Sequence, residues 1–193
     1  MAIVFHKESR CFHLYNNEVS YIIRIMENEQ LEQLYYGKKI HDREDFTYLH
    51  EECMRSQMSV CVPEPGILSM QYTKQEFPTY GTGDYRSPAL TIVQENGSRI
   101  VNFTYASHEI CSGKKDILPL PATYVENEDE AQTLEVTLHD AVMDTDLILS
   151  YTIYEEYPVI TRNAKICHKG SEKIVLDKIM SASVEFNDMD YEM

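Results

Sequence analysis

"AQTLEVTLHDAVMDTDLILSYTIYEEYPVITRNAKICH", residues 131–168, decides the fold. In its first third the apolar Leu134, Val136 and Leu138 alternate with Glu135, Thr137 and His139, which is the two-residue period of a half-buried strand. Next, Leu147, Leu149, Tyr151 and Ile153 share one face, with Ile148 and Tyr154 on the other. In the final run Ile160, Ala164 and Ile166 lie on one side, and Thr161, Asn163 and Lys165 on the opposite one. The links between these runs are short, and Pro158 and Gly170 suit turns rather than strand interiors. Three consecutive strands are therefore expected here, joined by tight turns.

The same alternation extends outward. "CFHLY" (11–15), "SYIIRI" (20–25) and "EQLYYG" (32–37) read as strands, and "ALTIVQ" (89–94), Asn96-Gly97 and "SRIVNFTY" (98–105) predict a hairpin, because Asn-Gly supplies the positive φ angles of a two-residue turn. Helical periodicity is thin: "EDFTYLHEECMR" (44–55) repeats Phe46, Leu49 and Cys53 at three and four residues and suits a short helix or an irregular excursion. Residues 41–75 are the least periodic and read as a long connection between strands. The acidic "YVENEDEAQ" (124–132) reads as a solvated turn. These signals predict an all-β fold of about a dozen short strands with few or no helices, in which two antiparallel sheets pack face to face as a single domain spanning 1–193. Alternation persists into the last segment, so the chain is expected to be cut from something longer.

Composition narrows the function classes. The 193 residues carry 32 acidic and 17 basic side chains, a net charge of −15, which repels phosphate backbones and anionic lipid. Neither nucleic acid nor a membrane is an expected partner. No charged leader followed by an apolar run marks a signal peptide. The five cysteines are odd in number and scattered, which suits reduced thiols and a cytoplasmic location.

Sites with a chemical signature are scarce. His50, Cys53 and Cys61 sit close in sequence, yet structural zinc needs four ligands in paired spacing, so no metal is expected. No G-x-S-x-G elbow and no glycine-rich strand-to-helix loop is present, so neither a serine nucleophile nor a nucleotide cofactor is indicated, and the chain is assigned no cofactor and no catalytic residue. What remains is "EFPTYGTGDYRSPAL" (76–90). Gly81 and Gly83 permit a tight turn and Asp84 can satisfy local amides. Alternatively, Asp84 and Arg86 between Tyr80 and Tyr85 can address the hydroxyls of a sugar.

Here a resemblance enters. "QEFPTYGTGDYRSPAL" (75–90), "ENGSRIVNFTYASHEICSGK" (95–114), residues 118–166 and "LDKIMSASVEFNDMDYE" (176–192) closely resemble, in this order, the N-terminal domain of bacterial α-galactosidases of the melibiase type, glycoside hydrolase family 36. The likeness runs from about Phe5 to the end and is weakest between His41 and Tyr72. It implies an antiparallel β-supersandwich of the galactose-mutarotase-like kind, followed in the parent enzyme by a catalytic barrel. Such a barrel takes about 250 residues, more than this whole chain. The family hydrolyses terminal α-galactosides such as melibiose and raffinose with retention, using two barrel carboxylates that map to no residue here. It also implies a homo-oligomer, a tetramer in the full-length enzyme, in which Tyr80, Asp84, Tyr85 and Arg86 lie at a subunit interface or substrate rim. A free-standing carbohydrate-binding module is the alternative, disfavoured by the absence of tryptophan, and an aldose epimerase by fold analogy is weaker still.

Overall fold

The computed structural model describes residues 1–51, 70, 72–81, 86–117 and 120–186. Ten strands form among them: β1 (Ala2–His6), β2 (Cys11–Tyr15), β3 (Val19–Ile25), β4 (Leu31–Lys38), β5 (Leu90–Gln94), β6 (Thr104–Ser112), β7 (Ala131–Asp140), β8 (Thr145–Tyr154), β9 (Ile160–His168) and β10 (Ile174–Ile179). They build two four-stranded sheets, in the orders β1-β2-β3-β4 and β6-β7-β8-β9, and a two-stranded sheet, β10-β5. All the strand pairings are antiparallel. The expected all-β fold is present, and the described residues hold no helix beyond two three-residue 3₁₀ turns, Thr47–Leu49 and Glu128–Glu130.

One core joins the two larger sheets. Phe12, Leu14, Tyr21 and Ile23 come from the first, and Leu134, Val136, Leu147, Leu149, Tyr151 and Ile153 from the second. These are the inward positions of the alternating runs, whose burial supplies roughly 1.5–3 kcal/mol per large side chain. Asn16, in the β2–β3 turn, ties the sheets at one end. Its Oδ1 accepts the backbone N–H groups of Glu18 and Val19, and its Nδ2 donates to the carbonyls of Tyr154 and Tyr157 in the β8–β9 turn.

Two readings need correction. Asn96-Gly97 does form a turn, with Gly97 at φ +83°, its N–H donating to the Gln94 carbonyl and the Gln94 N–H donating to the Ser98 carbonyl, but the returning chain does not pair with β5. It leaves to donate from Val101 to the Tyr80 carbonyl, while β5 pairs instead with β10, some eighty residues later in sequence. Turn chemistry fixed the reversal, and long-range burial of Val101 and Phe103 decided the partner. The sequence reading also passed over β1, whose pairing with β2 completes the first sheet.

Asn16→Ala removes four hydrogen bonds at a residue that is 2% exposed. Urea unfolding should show a loss of about 1–3 kcal/mol; a change within about 0.5 kcal/mol, typical of surface positions, would show that the two turns hold without it.

Candidate functional site

The motif at 75–90 is laced into the sheets at its start. Gln75 bridges Glu32 on β4, Glu76 donates its N–H to the Leu31 carbonyl, and Thr79 forms a parallel bridge with Leu90 on β5. This lacing turns the Glu76 side chain inward, where it is 0% exposed. Tyr21 from β3 donates its hydroxyl to Oε2, Tyr151 from β8 donates to Oε1 at 2.8 Å, and Arg162 Nη2 from β9 pairs with Oε1 at 2.5 Å. The Arg162 guanidinium also lies 5.2 Å from the centre of the Tyr151 ring and reaches the carbonyls of Glu76 and Ser183. Burial pushes the Glu76 carboxyl up, against the opposing pull of Arg162 and of the hydrogen bonds from both tyrosines. The same burial holds the two phenols well above their ordinary range, so both remain donors. Every strong group in the cluster is committed to another, so its chemistry is cohesion rather than turnover. On its outer side lies a cavity of about 320 Å³ lined by Tyr21, Tyr36, Ile160, Arg162, Ser181, Ala182 and Val184.

The residues singled out in the sequence fall near this anchor. Tyr80 is 44% exposed. Arg86 is 34% exposed, with Nη1 on Glu185 at 2.7 Å and Nη2 on the carbonyls of Thr73 at 2.7 Å and Met70 at 3.3 Å. Asp84 and Tyr85 lie outside the described residues. Gly81 adopts φ +111°, and a Cβ there would meet Ile100 Cγ2 at 2.7 Å, so glycine is required on both counts. Of the residues with zinc-like proximity, His50 binds Glu32 through Nδ1 at 2.5 Å, while Cys53 and Cys61 lie outside the described residues.

A Ser-His-Asp relay occurs on the outer side of the first sheet, and no motif announced it. Ile40 donates its N–H to Ser20 Oγ, which contacts His13 Nε2 at 2.9 Å, and His13 Nδ1 contacts Asp42 Oδ1 at 2.7 Å. An ionised Asp42 only accepts, which places the imidazole proton on Nδ1 and leaves Nε2 to accept the serine hydroxyl. Ser20 and His13 are both 0% exposed, so no substrate carbonyl can reach the hydroxyl. The relay instead fastens the connection after β4 to the sheet, with His6 Nε2 as a second contact to Asp42 at 2.9 Å.

Residues 29–193 match the family described as "Glycosyl hydrolase family 36 N-terminal domain". The whole chain is 35% identical to α-galactosidase AgaA of Geobacillus stearothermophilus, and 99% of it is 32% identical to α-galactosidase Mel36A of Lactobacillus acidophilus. It spans 26% of the length of each. Among solved structures, the α-galactosidase of Lactobacillus brevis superposes with a TM-score of 0.88 at 34% identity, covering 93% of this chain and 24% of that one. A variant of the G. stearothermophilus AgaA in complex with raffinose gives 0.85 at 38% identity, covering 94% of this chain and 25% of that one. The chain therefore belongs to the N-terminal domain family of glycosyl hydrolase family 36.

The relay carries a pH dependence whose sign is fixed. Burial pulls the His13 imidazole down, outweighing the raising effect of Asp42, so the unfolded chain takes up that proton first and stability falls as pH drops below about 6.5. Partial burial of Asp42 is outweighed by its histidine hydrogen bonds, which hold the carboxyl below its usual range and add a second loss below about pH 4. Urea unfolding of His13→Gln should show a lower stability at pH 7.5 and a smaller drop between pH 7.5 and 5.5 than the parent; equal drops would remove His13 from the account.

Proposed function

We propose that this chain is the N-terminal accessory and oligomerisation domain of a retaining α-galactosidase acting on terminal α-galactosides such as melibiose and raffinose. The observation that carries the reading is the family match, together with the three quarters of each relative's length that lies outside the matched region. The surface supports it. Val175, Leu176, Ile179, Met180, Val184 and Phe186, along β10 and the segment after it, are each more than a third exposed. Among the described residues β10 pairs only with β5, which leaves its other edge open. Exposed apolar side chains along an open strand edge favour burial against further protein, either the remainder of such an enzyme or a neighbouring subunit.

In this reading Tyr80, Asp84, Tyr85 and Arg86 shape the active-site rim of a neighbouring subunit. Gly81 is held against Ile100, and Arg86 is tied to Thr73, Met70 and Glu185, so both flanks of residues 82–85 are fixed to neighbouring segments, with the stretch from 75 to 79 bridged to the sheets. Loops on stiff sheets are where binding residues concentrate. The catalytic carboxylates belong to the barrel, so the 193-residue chain turns over nothing by itself. A cytoplasmic location is part of the same proposal, supported by the free thiols Cys11, Cys111 and Cys167; no helix among the described residues is long and apolar enough to cross a membrane.

The test uses Asp84→Asn in the full-length enzyme, assayed with raffinose, alongside the melting temperature of the 193-residue chain carrying the same change. Activity or assembly should fall at least about tenfold, equivalent to about 1.4 kcal/mol, with melting unchanged. Full activity in the variant, or a loss that tracks unfolded material, would remove the rim assignment, and hydrolysis of an aryl α-galactoside by the purified 193-residue chain would overturn the accessory reading altogether.

A further inference from the structure

The face of β7, β8 and β9 turned away from the core carries a row of unlike hydrogen-bonding groups. Register sets Glu135 opposite Ser150 and Ser150 opposite Asn163, across strands about 4.8 Å apart. In the next row Ile148 faces Lys165 and adds an apolar floor. Such a face is ordinarily flat, but here residues 114–117 and Leu120 stand beside it and wall a groove of about 530 Å³, lined among others by Lys115, Glu135, Ile148, Ser150, Asn163 and Lys165. Gly113 ties the start of this wall to the sheet: its N–H donates to the Ala131 carbonyl at 2.7 Å and its carbonyl accepts the Thr133 hydroxyl at 2.8 Å. Thr123 Oγ1 meets the Tyr154 hydroxyl on the same face.

The donors and acceptors in this groove are only partly spent. Lys115 bridges Glu109 and Glu135, and Ser150 donates to Glu135 Oε1 at 3.1 Å. Among the described residues the Asn163 amide and the Lys165 ammonium have no hydrogen-bond or ion-pair partner in the protein. A phosphate or sulfate needs donors alone and would meet the Glu135 and Asp116 carboxylates in the same groove. A neutral polyhydroxyl matches better, since each hydroxyl both gives and accepts a hydrogen bond. We propose that this groove is a second, non-catalytic carbohydrate site, taking a neutral mono- or oligosaccharide with its C–H face on Ile148 and its hydroxyls spanning Glu135, Asn163 and Lys165. Among the described residues no aromatic ring lines the groove to stack on the sugar, so a dissociation constant on the order of 1 mM is expected. This site does not depend on the rim assignment or on the catalytic reading of the parent enzyme.

The experiment is an amide-resolved NMR titration of the 193-residue chain with raffinose, and separately with inorganic phosphate. Raffinose should give saturable shifts confined to 113–117 and to the strands around Glu135, Ser150 and Asn163. Asn163→Ala and Lys165→Ala should each weaken binding at least about fivefold with melting unchanged, because both side chains are without protein partners. Absence of saturation at ten times the expected constant, saturation by phosphate at the same amides without raffinose binding, or raffinose shifts centred elsewhere would each overturn the proposal.

Discussion

A single buried carboxylate holds this domain together. Glu76 belongs to neither large sheet, yet its side chain lies between them and receives Tyr21 from one, and Tyr151 and Arg162 from the other. Taking a carboxylate and a guanidinium out of water costs several kcal/mol per ion, and the pair tolerates this only when its remaining lone pairs and protons are satisfied. Here two phenols complete the carboxylate, and the carbonyls of Glu76 and Ser183 together with the Tyr151 ring engage the guanidinium. Removing one partner would leave the others unpaired around a carboxylate that is 0% exposed, at the desolvation cost of each orphaned group.

The backbone bridges of residues 75–79 to β4 and β5 place that carboxylate inward, and together they anchor the stretch leading to Tyr80 and Gly81. Arg86 then fixes the far side of the motif to Thr73, Met70 and Glu185. Arg162 reaches on to Ser183, so the segment beyond β10 is held by the same cluster that holds the motif. The rim proposed for a neighbouring subunit and the apolar edge proposed for contact with further protein thus share one anchor.

The strand pattern was legible because burial on one face imposes a two-residue period that needs no partner to be recognised. Leu134, Val136 and Leu138, and Leu147, Leu149, Tyr151 and Ile153, are buried as their spacing indicates. Partner choice was less legible: Asn96-Gly97 specified a reversal but not that β5 would pair with β10, since that depends on contacts distant in sequence. The anchor does have a signal in the sequence. Arg162 stands at an inward position between Ile160 and Ala164, and a charge on the apolar side of a strand calls for a buried opposite charge. Its partner, Glu76, lies at the start of the same motif that carries Asp84 and Arg86. The groove over β7–β9 and the Ser20–His13–Asp42 relay were unreadable for a different reason, since each assembles residues whose meeting depends on cross-strand register.

The most direct measurement is a double-mutant cycle on Glu76→Gln and Arg162→Met, read by urea unfolding of the 193-residue chain. If the buried pair organises the fold, each single change costs about 3–5 kcal/mol, and the double mutant costs clearly less than their sum, with a coupling above about 1 kcal/mol. Single losses below about 1 kcal/mol that simply add would contradict the account and leave the apolar core alone as the source of cohesion.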